Sequence, residues 1–358
     1  ALSSIADLAL CAGCSPKVVD VVLLHAWHLP YEIIATFMAL VCVDDASSAL
    51  ENSKPYPNYS PVHPLMLVSR EWYSVACSMA HLWSSLELDI SSPAYDTSAV
   101  SELLQKAERW FGRASECPLM LRIKVGSGRA ENRMVWEYLG SISSRVGELD
   151  IEVVANTGNT DEHPAALLEM PITPGGLHAN VDPEPLRIWK NMSSFHYRDF
   201  SRPASFGSYL SSSLQDPSVA FPSLTSLTLL VPHIKLPTVN TPFWSKLTSL
   251  KLGALADVDP VPLYLQALSQ CSSLLSCTLV FPNVDLTQPL PEPASYFSGG
   301  LSKATLPSLT HLKIYTSTQL EEVAIAIVHH LDHPSLLHGS MVFIDEGTEI
   351  LWGSSRSE

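Results

Sequence analysis

The sequence predicts an α/β protein, a small helical module followed by an irregular α/β solenoid. Three observations carry that expectation. Two short, strongly apolar segments, Tyr31–Val43 and Leu65–Ala80, have the spacing of helices. From Leu86 onward, short runs of alternating apolar residues follow one another, separated by helical patterns. The spacing Leu-x-x-Leu-x-Leu then recurs, opening at Leu224, Leu247, Leu274 and Leu309, in steps of 23, 27 and 35 residues. The expected division is 1–26 as an N-terminal extension, 27–85 as the helical module and 86–358 as the solenoid.

In chain order, Pro30 suits the first turn of a helix, where its missing N–H is an orphan in any case, and Leu29 staples the chain before it. The helix is expected over Tyr31–Val43, closed by Asp44-Asp45. Ile33, Phe37, Leu40 and Val41 fall on one face, and Ile34, Met38 and Val41 extend onto the next. A helix apolar over so much of its circumference needs partners on two sides. Pro55, Pro57 and Pro61 forbid regular helix in the following segment. Pro64 is expected to open a second helix carrying Leu65, Val68 and Trp72 as far as Ala80. Leu82-Trp83 ends the module, and Leu86, Leu88 and Ile90 alternate as a first strand.

Further on, Ser98–Gly112 has helical spacing, with Val100, Leu103, Leu104, Ala107, Trp110 and Phe111 on one side. Leu119, Leu121, Ile123 and Val125 alternate as a strand, and Met134 to Ile142 mark another helix. The strand beginning at Val146 starts the recurring motif, and Met192, Phe195, Tyr197 is a looser copy. The 46 residues from Leu149 to Phe195 leave room for a further strand. Loops are expected over Asn156–Pro185 and Asp285–Gly300, a late helix over Thr318–Leu331 and a last strand over Met341–Ile344. In each copy the last two apolar residues, at alternate positions, turn one strand face into the core. A single unit cannot bury that face alone, so the units stack.

Composition narrows the function. Apolar residues make up 46% of the chain and charged residues 16%, which argues for a folded protein. A net charge of −15, with no basic run, argues against nucleic-acid binding. The longest apolar run, Ile33–Val43, is too short to span a bilayer. The first residues carry no basic segment ahead of their apolar ones, so a signal peptide is not expected. Seven irregularly placed cysteines suggest reduced thiols and a cytoplasmic or nuclear protein. Asn58-Tyr59-Ser60 and Asn191-Met192-Ser193 match the glycosylation sequon, a pattern with little weight outside a secretory context.

No catalytic constellation, metal site or cofactor is expected. Cys11 and Cys14 have metal or redox spacing but lack a second pair. His329 and His333 would share a helix face four residues apart, yet the Glu of a zinc protease is missing and Pro334 follows at once. Gly126-Ser127-Gly128 lacks the Lys of a phosphate loop and suits a tight turn. The outward positions of the repeated strands, among them Thr228, Lys251, Thr278, His311 and Lys313, form the expected recognition surface. His311, Lys313 and Tyr315 come nearest to binding anchors there.

The helical module resembles an F-box. Leu29-Pro30-Tyr31-Glu32-Ile33 matches the family's start. Leu65, Val68, Arg70 and Trp72 match its second part, with Ser69 where Cys is common, and Leu82-Trp83 matches its end. Leu82-Trp83-Ser84-Ser85-Leu86 and the later Trp110 and Cys117-Pro118-Leu119 look like the mushroom-type fungal members. The resemblance spans Leu29–Ile123, about a quarter of the chain. The recurring motif resembles a leucine-rich repeat, although the family's Asn, three residues past the last Leu, is replaced by Pro232, Leu255, Pro282 and Ser317. These resemblances imply a non-enzymatic substrate receptor of an SCF-type cullin–RING ubiquitin ligase. Its partners would be a Skp-type adaptor, through it the cullin scaffold, and a protein substrate. The implied adaptor-binding residues are Leu29, Pro30, Ile33, Ile34, Phe37, Leu65, Val68 and Trp72. Two alternatives stand beside this reading: an interaction scaffold without a ligase role, and a metal-dependent enzyme using His329–His333.

Overall fold

A computed structural model describes residues 29–48, 62–92, 94–126, 132–154, 189–199, 221–231, 242–254, 261–281, 303–343 and 348–352. The expected N-terminal extension, Cys11 and Cys14, the sequon at Asn58, Ser127-Gly128 and the loops over Asn156–Pro185 and Asp285–Gly300 lie outside these residues. The chain divides into two compact units. The first holds Ala1–Asp89 and Glu102–Leu121, the second Ile90–Ser101 and Arg122–Glu358.

In the first unit, helix α1 runs over Tyr31–Ser48, α2 over Val62–Met66 and α3 over Arg70–Ser78, followed by a 3-10 turn at Ala80–Trp83. Helix α1 passes through Asp44-Asp45, because Ala46, Ser47 and Ser48 do not bar helix and the first breaker beyond them is Pro55. The expected second helix is two. Pro64 sits inside the first turn of α2, and the chain breaks at Leu67–Ser69. Ser69 is extended and caps α3: its hydroxyl accepts the Trp72 N–H at 3.3 Å and donates to the Glu71 carboxylate at 2.7 Å. The unit's core gathers Ile34, Met38, Leu65, Val68, Trp72, Val75 and Trp83. Phe37 packs edge-on against Trp72 at 5.6 Å. The fully buried Trp83 donates through Nε1 to the Ala76 carbonyl at 2.8 Å and meets Trp110 edge-on at 4.6 Å.

Strand β1, Ser85–Ile90, and helix α4, Thr97–Gly112, follow. Asp96 caps α4 by accepting the Ala99 N–H at 2.8 Å. Then come β2 (Leu119–Gly126), α5 (Asn132–Ile142), β3 (Val146–Val154), β4 (Ser194–Asp199), β5 (Ser226–Val231), α6 (Pro242–Lys246), β6 (Ser249–Ala254), α7 (Val261–Leu268) and β7 (Ser276–Val280). The described chain ends with β8 (Ala304–Thr305), β9 (His311–Thr316), a 3-10 turn at Thr318–Leu320, α8 (Glu321–His330), β10 (Leu331–Asp332), β11 (His338–Phe343) and β12 (Thr348–Trp352).

The protein is α/β, with a large parallel sheet in the order β1-β2-β3-β4-β5-β6-β7-β9-β11. It is closed by β12, antiparallel to β11; β8 and β10 pair apart from it. Adjacent strands keep one register. Leu149, Phe195, Leu227, Leu250, Cys277 and Leu312 form one transverse row; Ile151, Tyr197, Leu229, Leu252, Leu279 and Ile314 form the next. Both rows are buried, as is the row of first motif residues Val146, Met192, Leu224, Leu247, Leu274 and Leu309. Each fully buried Leu contributes about 1.5–3 kcal/mol. These rows are what the spacing Leu-x-x-Leu-x-Leu encodes.

Hydroxyls and a shared carbonyl join successive units at the strand starts. The Ser193 carbonyl accepts the Thr225 and Ser226 N–H groups at 2.9 and 3.0 Å and the Thr225 hydroxyl at 3.2 Å. The Thr225 carbonyl does the same for Thr248 and Ser249, and the Leu275 carbonyl for Thr310 and His311. Backbone groups that would otherwise be orphaned are thereby paired.

Three further expectations are corrected. Strand β3 bonds directly to β4, Leu149 beside Phe195, so no strand of the sheet lies between them. The last strand among the described residues is β12, beyond the expected Met341–Ile344, which corresponds to β11. Helix α8 stops at His330, and Leu331–Asp332 is extended to pair with β8, so His329 and His333 share no helix face. Between β5 and β7, Gly253 is tightly enclosed: a Cβ there would stand 2.7 Å from Leu230 Cδ2 and 3.1 Å from Val280 Cβ. Gly253→Ala is expected to lower stability by about 1–3 kcal/mol through overpacking, read from the urea midpoint.

Candidate interaction surfaces

Two surfaces stand out, one in each unit. On α1 the apolar residues separate into two stripes. Ile34 and Met38 are 1% and 0% exposed, whereas Ile33, Phe37 and Leu40, at the same spacing one step round, are 52%, 45% and 62% exposed. Tyr31, Leu67 and Tyr73 are further large exposed side chains of the unit. The exposed stripe is held from below: Phe37 rests on Trp72, and the Tyr31 hydroxyl meets the Ser78 hydroxyl at 2.9 Å.

The eight residues that the motif singled out are thus not equivalent. Pro30, Ile33 and Phe37 are exposed and Leu29 is half-exposed, while Ile34, Leu65, Val68 and Trp72 are packed inside the unit. Leu40, Leu67 and Tyr73 are exposed without being motif positions. Their pattern, apolar at i, i+4 and i+7 on α1, is legible, but the sequence does not say which of two apolar stripes faces out.

The second surface is the outward face of the parallel sheet. Over β2–β4 its cations Arg122, Lys124 and Arg198 are paired with carboxylates. Arg122 Nε and Arg198 Nη2 lie 3.1 and 2.8 Å from Asp150 Oδ2, and Lys124 Nζ lies 3.3 Å from Glu152. His196 stands among them, its Nε2 2.7 Å from the Ser194 hydroxyl. Burial holds His196 below the ordinary imidazole range; Asp150 opposes that shift and Arg198 adds to it. Asp150→Ala would leave two guanidinium groups without their shared carboxylate. A loss of about 1–3 kcal/mol is expected in chemical denaturation, the half-exposed arginines recovering part of their hydration.

Over β6–β11 the same face has a different character. Lys251 on β6, Thr278 on β7, Lys313 on β9 and Ser340 on β11 form one transverse row. Ser249, Ser276, His311 and His338 form the row beside it. The imidazoles of His311 and His338 lie 5.0 Å apart, and Lys313 Nζ stands 5.0 Å from the centre of the Tyr315 ring. A recess of about 530 Å³ opens here, lined by Ser276, Thr278, His311, Lys313, His338 and Ser340 among others. His311, Lys313 and Tyr315, the expected anchors, therefore share one strand face. Lys251 and His338 join them on this face, and His338 belongs to a copy disguised by Gly339 in place of Leu.

Among the described residues, no group of three or more His, Cys, Asp or Glu could hold a metal ion. The His330 ring nitrogen Nδ1 lies 3.0 Å from the Ala326 carbonyl. Burial pushes the Cys271 thiol up to about 12 and raises that of Cys277 further, so neither is a nucleophile near neutral pH. No helix among the described residues is long and apolar enough to cross a membrane. Compared with known proteins, the chain matches no family model, and no curated protein matches it.

Proposed function

We propose that the chain is a substrate-recognition adaptor of an SCF-type cullin–RING ubiquitin ligase, working in the cytoplasm or nucleus without catalysis of its own. In this reading the helical unit acts as an F-box and docks on a Skp-type adaptor. The stacked strands act as a leucine-rich-repeat solenoid whose outward face engages a protein substrate. The single observation that carries the proposal is the division of α1. The unit's core is already filled by Ile34, Met38, Leu65 and Trp72, yet Ile33, Phe37 and Leu40 remain outside as a continuous stripe. Apolar stripes of this kind on otherwise complete folds mark protein interfaces. The ordered motif matches from Leu29 to Trp83 say which class of partner to test.

The test is pull-down and titration against a Skp-type adaptor. The intact protein is expected to bind. The double variant Phe37→Glu, Leu40→Glu is expected to lose at least about 100-fold in affinity, because two interface anchors are removed. Its melting temperature should fall by only a few degrees, since Leu40 is exposed and the half-exposed Phe37 gives up only its edge contact with Trp72. Absence of binding by the intact protein would favour the second reading, an interaction scaffold whose F-box-like helices serve only their own fold. The burial of four of the eight motif residues is the observation that keeps that reading in play.

A further inference from the structure

His311 opens β9 and His338 opens β11, and the two are direct partners in the parallel register. Both are exposed, and their ring centres lie 5.0 Å apart. That spacing matches a coordination geometry. An imidazole bound to a metal through one nitrogen puts its ring centre about 3.2 Å from the ion. Two imidazoles at a square-planar or tetrahedral angle on one ion therefore have centres roughly 4.5–5.2 Å apart.

The protonation of His311 is decided by its neighbour. The Thr310 hydroxyl has a single proton and donates it to the Leu275 carbonyl at 2.9 Å. The same oxygen stands 2.8 Å from His311 Nδ1, so there it accepts, and Nδ1 carries the hydrogen. Nε2 of the neutral ring keeps its lone pair, which is the form in which histidine binds a metal. A hydrogen bond from the second ring nitrogen is also the usual device that orients a metal-ligating histidine. The Leu275 carbonyl is itself the junction that accepts the Thr310 and His311 N–H groups, so the sheet's own framework sets this side chain.

A recess of about 530 Å³ opens beside the pair, with the hydroxyl residues Ser276 and Ser340 in its lining. Two imidazoles are fewer than the three or four protein ligands of catalytic and structural zinc, so an ion here would keep open positions for water. Lys313 follows His311 on the same face, and its ammonium stands 5.0 Å from the ring of Tyr315. That charge opposes a cation and limits the affinity.

We propose that His311 and His338 form an open two-imidazole site for one divalent first-row transition-metal ion of the zinc, nickel and copper class. Imidazole donors select these ions over magnesium and calcium, which take oxygen ligands. The site is independent of both halves of the function proposed above. An ion there would clamp the start of β9 to that of β11.

The experiment uses the full chain without any adaptor, so its failure is distinct from a failure of the pull-down. Ni2+ is titrated by calorimetry in a non-coordinating buffer, with Zn2+ and Mg2+ as competitors. Ions held elsewhere, by Cys11 and Cys14 for example, are common to every variant and subtract. One equivalent is expected that Zn2+ displaces and Mg2+ does not, together with a melting temperature raised by Ni2+. His311→Gln and His338→Gln should each weaken that equivalent at least tenfold. Neither should move the metal-free melt, since both side chains are exposed. Lys313→Met should tighten binding about twofold or more, because an opposing charge is removed. The control is His329→Gln, His333→Gln, on and just beyond α8, which should change nothing. Three results would overturn the proposal: no saturable Ni2+ binding, binding unaltered in both single His variants, or its loss in the control.

Discussion

Trp83→Ala is expected to lower the stability of the helical unit by about 3–5 kcal/mol, the range for emptying a large buried aromatic site. The indole is fully buried, packs edge-on against Trp110 and lies 4.4 Å from the Arg113 guanidinium carbon above it. Its Nε1 hydrogen bond to the Ala76 carbonyl joins the 3-10 turn to α3. That carbonyl also accepts the Met79 N–H at 3.3 Å, so the lost hydrogen bond adds little and the cavity dominates. A whole domain holds only about 5–15 kcal/mol, so the substitution should remove much of the unit's margin. Urea denaturation followed by helical circular dichroism reads it. A midpoint shift equivalent to less than about 1 kcal/mol would contradict the packing described, since even a modest cavity at a core tryptophan exceeds that. Trp83→Phe, which keeps most of the volume, should recover the greater part of the loss.

The second large effect is expected at Leu252. It is fully buried and stands in register between Leu229 on β5 and Leu279 on β7. Leu252→Ala should cost about 2–5 kcal/mol, and the accelerated amide exchange should be greatest in β5, β6 and β7. Lys251→Ala, one residue earlier, projects from the other face of the pleat and should change stability by no more than about 0.5 kcal/mol. The pair tests the register itself, because a slip by one residue would exchange the two results.

Much of this sheet was legible from Leu224 to Ile314, and the reason is physical. Each strand buries one face, so an apolar residue is demanded at alternate positions, and the residue three before them closes the turn into the strand. Where other chemistry serves the same place, the signal fades. Gly339 stands where the preceding copies carry Leu, and with it went the sight of His338 as a neighbour of His311. The direct pairing of β3 with β4 was hidden because the distance along the chain does not report how a long connection is folded. The break between α2 and α3 depends on one hydroxyl, that of Ser69, taking up the Trp72 N–H. A serine in an apolar run does not by itself announce a cap. The same ambiguity governs the candidate docking surface. Ile33 and Ile34 are chemically alike, and only the way α1 is seated in the folded unit makes one exposed and the other buried.

The shared carbonyls at the strand starts have a consequence for how such a chain can change. Ser193, Thr225, Thr248, Leu275 and Thr310 each hold the first residues of the following strand through two backbone hydrogen bonds, whatever lies between. The intervals they bridge range from 23 residues, between Thr225 and Thr248, to 35, between Leu275 and Thr310. Alignment is therefore decided at the junction and not by the length of the segment leading to it. Segments can be lengthened, shortened or exchanged while the outward side chains keep their lateral order, so a binding surface of this design can be diversified one segment at a time.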